Sequence, residues 1–474
     1  MVKREMKTDT TENDLPEIPD TWIWKTLGET CERIFDGTHF SPKNGPKGDF
    51  KYITAKNIKS WGIDLRNLTY VSKEAHQEIY LRSPVKYKDI LYIKDGATTG
   101  IAVVNNLTEQ FSLLSSVGVF NVNNNFIIPE YVAYYLNSPI TKTRMLNMVS
   151  GVAITRLTLE KLKACWICLP PLPEQNRIVA KLDQIVPRID ACKERLDKIP
   201  LLLKRFRQAV LIAACRGVLT DSWRKKYKRD KVKELVESEG LFETPESWTW
   251  THFNNLTRDI TVGHVGPMLK EYVENGIPFL RSMNVREMHI NIKGLKFISN
   301  KFHSILNKSK LMPGDVVVVR SGNVGVCAVI PNTLKEANCS DLVIIRPDKL
   351  LNPYYACIFI NSPLLKVFIE DNKVGIAQSH FNIGMMNKTP IPVPPLDEQT
   401  EIVRRVEALF TVADHIEARY KDAKAAVDKL TPSTLAKAFR GELVPQDPSD
   451  EPASVFLERI KATSGVVVKW GKKK

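Results

Sequence analysis

The sequence predicts an α+β protein built from two copies of one α/β domain, each followed by a long helix. Two observations carry this prediction. The chain repeats itself at an offset of about 224 residues, and each copy contains an apolar stripe that recurs at alternating steps of four and three residues. Because an apolar stripe must be buried, we expect the two long helices to pack on each other as a coiled coil.

The composition is that of an ordinary globular protein. The 474 residues are 43% hydrophobic and 26% charged, and this length suits about two to four domains. No apolar run approaches the roughly 20 residues that a membrane-spanning helix requires. The polar N-terminus lacks the apolar stretch of a signal peptide, so we expect the protein to stay in the cytoplasm.

The eight cysteines are scattered, and we expect no disulfides in a reducing cytoplasm. Only Cys165 and Cys168 form a CxxC pair, and no second pair of Cys or His completes four zinc ligands. Their setting, ACWICLPP, indicates a buried strand. We therefore expect no metal site in this chain.

Matching segments at offsets of 224 to 227 residues define the repeat. They are LPPLPEQNRIV (169–179) with VPPLDEQTEIV (393–403), CRGVL (215–219) with FRGEL (439–443), IPDTWIW (18–24) with TPESWTW (244–250), YITAKNI (52–58) with FLRSMNV (279–285), KDILYIKDG (88–96) with GDVVVVRSG (314–322), and, at an offset of 224, GVAITRL (151–157) with GIAQSHF (375–381).

These matches divide the chain into seven segments. They are a polar N-terminal segment (1–17), a first domain (18–165), a first spacer helix (166–220), a basic linker (221–243), a second domain (244–389), a second spacer helix (390–445) and a C-terminal tail (446–474). Within both domains, short β-rich runs such as DILYIK and DVVVVR are broken by Gly, Asn and Pro, and a helix-forming stretch lies near the end. Each domain is therefore predicted to be mixed α/β with Gly-containing loops.

The spacer helices carry the clearest periodicity. The predicted stripe comprises Ile178, Leu182, Ile185, Ile189, Cys192, Leu196 and Ile199 in the first helix, and Ile402, Val406, Leu409, Ala413, Ile416, Tyr420 and Ala423 in the second. Prolines interrupt this pattern. We expect Pro187 to kink or break the first helix, and Pro200 and Pro432 suggest further breaks.

The formal net charge of +15 favours a polyanionic partner. Residues 201–233 hold eleven Lys or Arg against Asp221 and Asp230, so most of the excess charge lies in one stretch. This stretch has two interpretations. It is either a solvated helix face with a linker, or a surface that contacts phosphates directly.

The motifs of common nucleotide-dependent enzymes are missing. The sequence has no GxxxxGK[ST] loop, no GxGxxG after a strand and no HExxH, so ATP hydrolysis, dinucleotide binding and a catalytic metal are poorly supported. The segment Asn352-Pro353-Tyr354-Tyr355 is faintly similar to the catalytic motif of amino-methyltransferases but lacks its second proline. We interpret Pro353 as the start of a helix and name no catalytic residue.

Basic loops with glycines and aromatic residues recur at matching places in both domains. Glycine lets the backbone approach phosphates, while Arg, Lys, Asn and Thr read base edges. For any single residue a plain surface turn is the alternative, so the recurrence of the loops carries the prediction. The candidate DNA-binding residues are His39, Phe40, Lys43, Lys47, Lys51, Tyr52, Lys56, Asn57, Lys94, Thr98 and Thr99 in the first domain, and His264, Lys270, Tyr272, Arg281, Asn284, Arg320, Ser321 and Asn323 in the second.

The chain resembles the specificity subunit of Type I restriction-modification systems. The resemblance rests on the alternation of two domains with two heptad helices and on DGTHFSP, PPLPEQNRIV, PPLDEQTEIV, AFRGELV and KDGATTG. It implies that each domain is a target recognition domain for one half of a split DNA site. It also implies that the helices form an antiparallel coiled coil with pseudo-twofold symmetry, which sets the spacer between the half-sites.

The resemblance further implies a non-catalytic subunit that recruits its partners. Those partners are two modification subunits, which carry S-adenosylmethionine and methylate adenine, and two restriction subunits, which use ATP and Mg. The alternative from the enzyme class is a self-contained DNA methyltransferase or nuclease with unrecognised motifs. A third possibility is a coiled-coil interaction protein whose basic domains bind acidic partners.

Overall fold

The computed structural model describes residues 15–147, 157–228, 230–232, 235–371 and 383–464. The chain forms two compact units. The first comprises Met1–Leu196 with Ala423–Lys474, and the second comprises Asp197–Asp422. Each unit therefore contains one predicted domain, the start of the long helix that follows it and the end of the other long helix.

The first unit begins with eleven strands among its described residues. They are β1 (Ile23–Thr26), β2 (Cys31–Asp36), β3 (Phe50–Ile53), β4 (Ile58–Lys59), β5 (Gly62–Ile63), β6 (Thr69–Val71), β7 (Ile90–Ile93), β8 (Ala102–Val104), β9 (Ser112–Leu113), β10 (Val117–Val122) and β11 (Trp166–Leu169). A central antiparallel sheet has the order β2-β10-β7-β8, and a smaller sheet has the order β6-β3-β9. Strands β1 and β11 form an antiparallel pair.

Five short helices accompany these strands: α1 (Leu27–Thr30), α2 (Lys73–Arg82), α3 (Pro129–Leu136), α4 (Pro139–Asn147) and α5 (Leu159–Lys163). The long helix α6 (Leu172–Cys215) starts in this unit and ends in the second. The predicted boundary at residue 166 assigns β11 to the spacer, whereas its pairing with β1 makes it part of the first domain.

The second unit repeats this plan. Its strands are β12 (Thr249–His252), β13 (Thr257–Val262), β14 (Tyr272–Val273), β15 (Ile277–Leu280), β16 (Val285–Arg286), β17 (His289–Ile290), β18 (Lys296–Ile298), β19 (Lys310–Leu311), β20 (Val316–Val319), β21 (Cys327–Val329), β22 (Ala337–Cys339), β23 (Leu342–Pro347) and β24 (Pro390–Val393). The sheet β13-β23-β20-β21 matches the central sheet of the first unit, and the pair β12-β24 matches β1-β11.

The helices of the second unit are α7 (Asp221–Lys226), α8 (Asn300–Ile305), α9 (Pro353–Asn361), α10 (Pro363–Asp371) and α11 (Ile383–Asn387). The long helix α12 (Leu396–Ala438) starts here and ends in the first unit. The C-terminal tail adds α13 (Ala453–Ser464) to the first unit.

The central strands are apolar along their whole length because both of their faces are covered. In β7, Ile90 and Tyr92 pack into one hydrophobic cluster while Leu91 and Ile93 pack into another. Strand β20 divides its four valines between two clusters in the same alternating way. The prediction of a mixed α/β domain built on these two runs is confirmed.

The predicted breaks at the prolines do not occur, while the alternative of a kink at Pro187 stays a prediction. Helix α6 runs through Pro187 and Pro200, and α12 runs through Pro432. All three rings are exposed. A proline on the solvent side leaves one carbonyl without its helical partner, but water can hydrate that carbonyl, so the helix continues.

The long helices pack on each other in antiparallel order. In the first unit, Lys193 Nζ of α6 donates to Thr431 Oγ1 of α12 at 3.3 Å. In the second unit, Arg207 Nη2 of α6 donates to Glu417 Oε2 of α12 at 3.2 Å. At the repeat offset of 224, Lys193 corresponds to Glu417 and Arg207 corresponds to Thr431. The two pairs are therefore equivalent in the sequence repeat.

The predicted apolar stripe is buried or half-buried at every position except the fifth in each helix. Ile178, Leu182, Ile189, Ile402 and Val406 are buried, and Ile185, Leu196, Leu409 and Tyr420 are half-buried. Cys192 is exposed, however, and Ile416 is 45% exposed. The half-buried residues at this level are Lys193 and Glu417, one residue later in each helix. A straight α-helix has 3.6 residues per turn, so a strict repeat of 3.5 residues drifts away from the face that contacts the other helix.

A buried glutamate near the start of each long helix joins the preceding domain to the segment that follows the other long helix. In the second unit, Glu398 near the start of α12 accepts hydrogen bonds from Trp248 Nε1 (3.1 Å), Thr220 Oγ1 (2.7 Å) and Arg224 Nη1 (2.6 Å). In the first unit, Glu174 accepts from Trp22 Nε1 (3.0 Å) and Gln446 Nε2 (2.6 Å). Burial raises the pKa of the Glu174 carboxyl, and these two hydrogen bonds oppose part of the rise.

The glutamines of the repeated motif fix the entry to the next helix. Gln175 accepts a hydrogen bond from Ile128 N and donates to Phe126 O and Pro170 O. Gln399 makes the same three contacts in the second unit, with Asn352 N, Leu350 O and Pro394 O. The repeated EQ pair is therefore structural.

We predict that Glu398→Ala lowers the free energy of unfolding of the second unit by about 3 to 5 kcal/mol, because Arg224, Thr220 and Trp248 would lose their shared buried acceptor. Urea denaturation followed by tryptophan fluorescence measures the change. Glu407→Ala, an exposed position on the same helix, is the control and should change stability by less than about 0.5 kcal/mol. Equal stability of the two variants would contradict the assignment.

Candidate nucleic-acid interface

The loop between β2 and β3 presents four of the predicted residues to solvent. Both parts of the loop are fixed to the sheet, since Thr38 N donates to Leu113 O at 2.8 Å and Gly45 pairs with Tyr70 in both directions. The exposed residues are His39, Phe40, Lys43 and Lys47. A fixed loop that carries two lysines and an exposed aromatic ring suits contact with a nucleic-acid backbone.

Lys94, at the end of β7, lies inside the first domain. It is only 2% exposed, and its Nζ lies 3.3 Å from Asp36 Oδ2 and 3.2 Å from Asp95 Oδ2. A buried ammonium group requires such partners, so Lys94 holds the loop in place and does not present a charge to DNA. Its neighbour Thr99 is also buried and donates to Gly96 O, which leaves Thr98 as the exposed side chain of this turn.

Asn57 and Asn284 fill equivalent turns in the two domains. Asn57 Oδ1 accepts from Thr54 N and Asn57 Nδ2 donates to Asp64 O. Asn284 makes the matching bonds with Arg281 N and Asn291 O. Both side chains are buried and held in place by these bonds, so we leave both residues out of the proposed DNA contacts.

A cleft of about 370 Å³ lies beside this turn in the first domain. Tyr52, in β3, is 3% exposed and lines it, and its neighbour Lys56 is exposed. Lys51, on the opposite face of the strand, pairs with Glu109. The residues that line the cleft are Ser41, Asn44, Tyr52, Thr54, Ala55, Lys56, Asn57, Asn67, Thr69, Leu114 and Ser116.

The corresponding loops of the second domain carry different side chains on the same framework. His264 pairs with Ser340, as Thr38 pairs with Leu114, and its ring packs edge-on against Phe302. Lys270 is exposed, and Tyr272 packs against Phe279 with Lys296 Nζ 5.8 Å from its ring centre.

Two of the candidate DNA-binding residues of the second domain are arginines, Arg281 and Arg320. Arg281 is half-buried and donates from Nη2 to Gly294 O at 3.2 Å. Arg320, which matches Lys94, is half-buried and lies 3.3 Å from Asp341 Oδ1. Ser321 Oγ also donates to Asp341, whereas Asn323 at the tip of the turn is exposed.

Sequence reasoning missed the acids that organise these loops and one exposed aromatic residue. Asp36 pairs with Lys94, and Asp341 pairs with Arg320. The backbone of Asp341 is in the left-handed region, with a φ of 51°. Trp61 is 62% exposed at the β4–β5 hairpin, and the Arg66 guanidinium lies 5.8 Å from its ring centre. The only sequence signal was Gly62 beside Trp61, since glycine favours turns.

Residues with catalytic-looking spacing have structural roles. Cys165 and Cys168 are buried next to and within β11, and burial raises the pKa of each thiol to about 12. Asn352 Oδ1 accepts from Tyr354 N at 2.9 Å, so the Asn-Pro segment starts α9 as predicted. Among the described residues, no group of three or more His, Cys, Asp and Glu side chains could hold a metal ion.

The basic stretch is partly neutralised within the second unit. Arg207 pairs with Asp414 and Glu417, Arg224 with Glu398, and Lys225 with Asp221. These pairs favour the interpretation of a helix face and linker over direct phosphate contact for the residues named. Arg229 and Lys233 lie outside the described residues, as do residues 151–156 and 375–381 of the last pair of repeat segments.

The chain thus combines two equivalent domains that carry matched loops with two paired long helices. The family model described as "Type I restriction modification DNA specificity domain" matches residues 19–201 and 267–423. The chain belongs to this family. The prediction of a specificity subunit, which recognises DNA and is not the catalytic component, is confirmed.

Related proteins and a solved structure support the same family assignment. The chain is 34% identical to the Type I restriction enzyme EcoBI specificity subunit of Escherichia coli over 66% of this chain and 67% of that protein. It is 29% identical to the EcoKI specificity subunit of Escherichia coli K12 over 94% and 96%. The HsdS subunit of Thermoanaerobacter tengcongensis has the same fold, with a TM-score of 0.54 at 18% identity over 90% and 99%. No helix within the described part of the chain is long and apolar enough to cross a membrane.

We predict that Lys43→Ala with Lys47→Ala weakens DNA binding at every sequence and lowers the slope of log affinity against log salt by about 2, one unit for each lost phosphate contact. Fluorescence anisotropy across a salt series measures the slope in the assembled complex. Lys73→Ala with Lys86→Ala, two exposed lysines elsewhere in the domain, is the control. An unchanged slope, or a changed preference among sequences, would contradict phosphate contact by this loop.

Proposed function

We propose that the chain reads a bipartite DNA target, with residues 18–165 reading one half-site and residues 244–389 the other, while the paired helices set the spacer. One observation carries this proposal: two equivalent domains present matching loops and are each joined to both α6 and α12. A duplicated reader suits a split site because each domain recognises its own half-site on the duplex.

We propose the exposed and half-buried loop residues as the DNA contacts. They are His39, Phe40, Lys43, Lys47, Lys51, Lys56 and Thr98 in the first domain, and His264, Lys270, Tyr272, Arg281, Arg320, Ser321 and Asn323 in the second. The lysines would position the duplex through phosphates. Arg281 and Arg320 offer planar donors that suit guanine edges.

The chain would act as a scaffold in a larger complex. The family resemblance supports two modification subunits that carry S-adenosylmethionine and two restriction subunits that use ATP and Mg, all working with this chain in the cytoplasm. In this proposal the chain itself binds no cofactor and supplies recognition alone.

Reconstitution with the partner methyltransferase tests this function. Modified-base sequencing of DNA from cells that carry the chain and its partner should give one motif of two fixed half-sites with an unspecified spacer. Equilibrium dialysis should show S-adenosylmethionine retained by the complex and not by this chain alone. Methylation by the isolated chain, or a continuous motif, would refute the proposal.

We predict that deleting seven residues from the middle of each helix, 194–200 in α6 and 424–430 in α12, shortens the spacer by about three base pairs and leaves the half-site sequences unchanged. Seven helical residues span about 10 Å, and removing a whole heptad preserves the packing of the stripe. Methylation mapping gives the spacer. Deleting seven residues from the C-terminal tail beyond α13 is the control. Altered half-site bases in the helix variant would contradict the proposal that the helices set only the spacer and the domains read the bases.

A further inference from the structure

The cleft of the first domain has the chemistry of a ligand site. Most of its lining side chains are neutral hydroxyl or amide groups, and Ala55 and Leu114 add apolar surface. Lys56 is the one cation among the lining residues, and its side chain is exposed. Phosphate sites depend on several cations or on clustered backbone N–H groups, whereas neutral donors and acceptors beside apolar surface suit the edge and face of a nucleobase.

Two hydroxyls at this cleft have no hydrogen-bond partner within the protein. Tyr52 Oη and Ser116 Oγ are both buried and unpaired. Burial raises the pKa of Tyr52 to about 12, so its hydroxyl stays protonated at neutral pH and can both donate and accept. An unpaired buried hydroxyl costs free energy, and a ligand that supplies the missing partner recovers it.

The two domains differ at this position. Phe279, in β15, matches Tyr52, since each pairs in parallel with the strand that precedes the turn into the central sheet. Phe279 is fully buried and has no hydroxyl, and Arg281 replaces Thr54 two residues later. The two domains therefore share the same backbone pairing at this position but differ in the side chains that would contact a base. This difference is expected if the two domains recognise different half-sites.

We propose that this cleft is a base-reading site, in which Tyr52 and Ser116 hydrogen-bond to one nucleobase of the first half-site. The proposal rests on the proposed function and names the residues that discriminate one base. Exposed Lys43 and Lys47 lie on the loop that also carries Ser41 and Asn44, so phosphate contacts and the base site share one loop.

The test compares Tyr52→Phe and Ser116→Ala with wild type in the reconstituted methyltransferase complex. Modified-base sequencing should show an approximately five- to tenfold loss of preference at one base pair of one half-site, as expected for one hydrogen bond, with the spacer and the other half-site unchanged. Exchanging residues 18–165 for those of a relative identifies the half-site that the first domain reads.

Tyr92→Phe is the matched control, since it removes another buried and unpaired hydroxyl that does not line the cleft. It should leave every base preference unchanged. Unchanged preferences in both cleft variants would show that these hydroxyls do not read a base, and a uniform loss at all positions would show a structural role. Either result would overturn the base site while the wild-type bipartite motif still supports the proposed function. A wild-type complex without such a motif would refute the function itself.

Discussion

The buried glutamate near the start of each long helix is the contact on which the architecture depends. Glu398 joins Trp248 at the entrance of the second domain, the start of α12, and Thr220 and Arg224 beyond the end of α6. Glu174 joins the corresponding parts of the first unit through Trp22 and Gln446. A buried carboxylate needs such donors, so the segment that follows one long helix stabilises the start of the other.

The same dependence is visible in the apolar contacts. Leu435, Ala438 and Phe439, at the end of the second copy's helix, pack into the core of the first domain. Leu211, Ala214 and Cys215, their equivalents in the repeat, pack into the core of the second domain. Each unit is therefore completed by the helix that follows the other domain. Leu219 and Leu443 of the RGxL segments pack against the same two clusters, so the recurrence of these segments has a structural reason.

Much of the fold could be predicted because it follows from local patterns and from the duplication. The buried runs that became β7 and β20, and the long helices, have periodicities that a single sequence reveals. The continuity of α6 through Pro187 was not predictable, since it depends on which side of the helix faces water. The shift of the stripe from Cys192 to Lys193 likewise reflects the geometry of the helix pair.

The candidate site was harder to predict than the fold. The loops were identified, but burial separates their members into different roles: Lys94 and Asn57 hold loops in place, whereas Lys43 and Lys47 face solvent. Composition cannot make this distinction, because a lysine beside a glycine-rich turn has the same local sequence whether or not a distant aspartate neutralises it. Asp36 does so for Lys94 from 58 positions away in the chain.

Amide hydrogen exchange on Phe439→Ala tests most directly whether one copy's helix completes the other copy's domain. The ring centre of Phe439 lies 5.4 Å from that of Tyr131 and 5.0 Å from that of Tyr135. Removing the ring should lower the free energy of unfolding by about 3 to 5 kcal/mol. We expect faster exchange in β1, β11 and α3 of the first unit and unchanged exchange in β20 and β23 of the second. Unchanged protection of the first unit, or equal loss in both, would contradict the account.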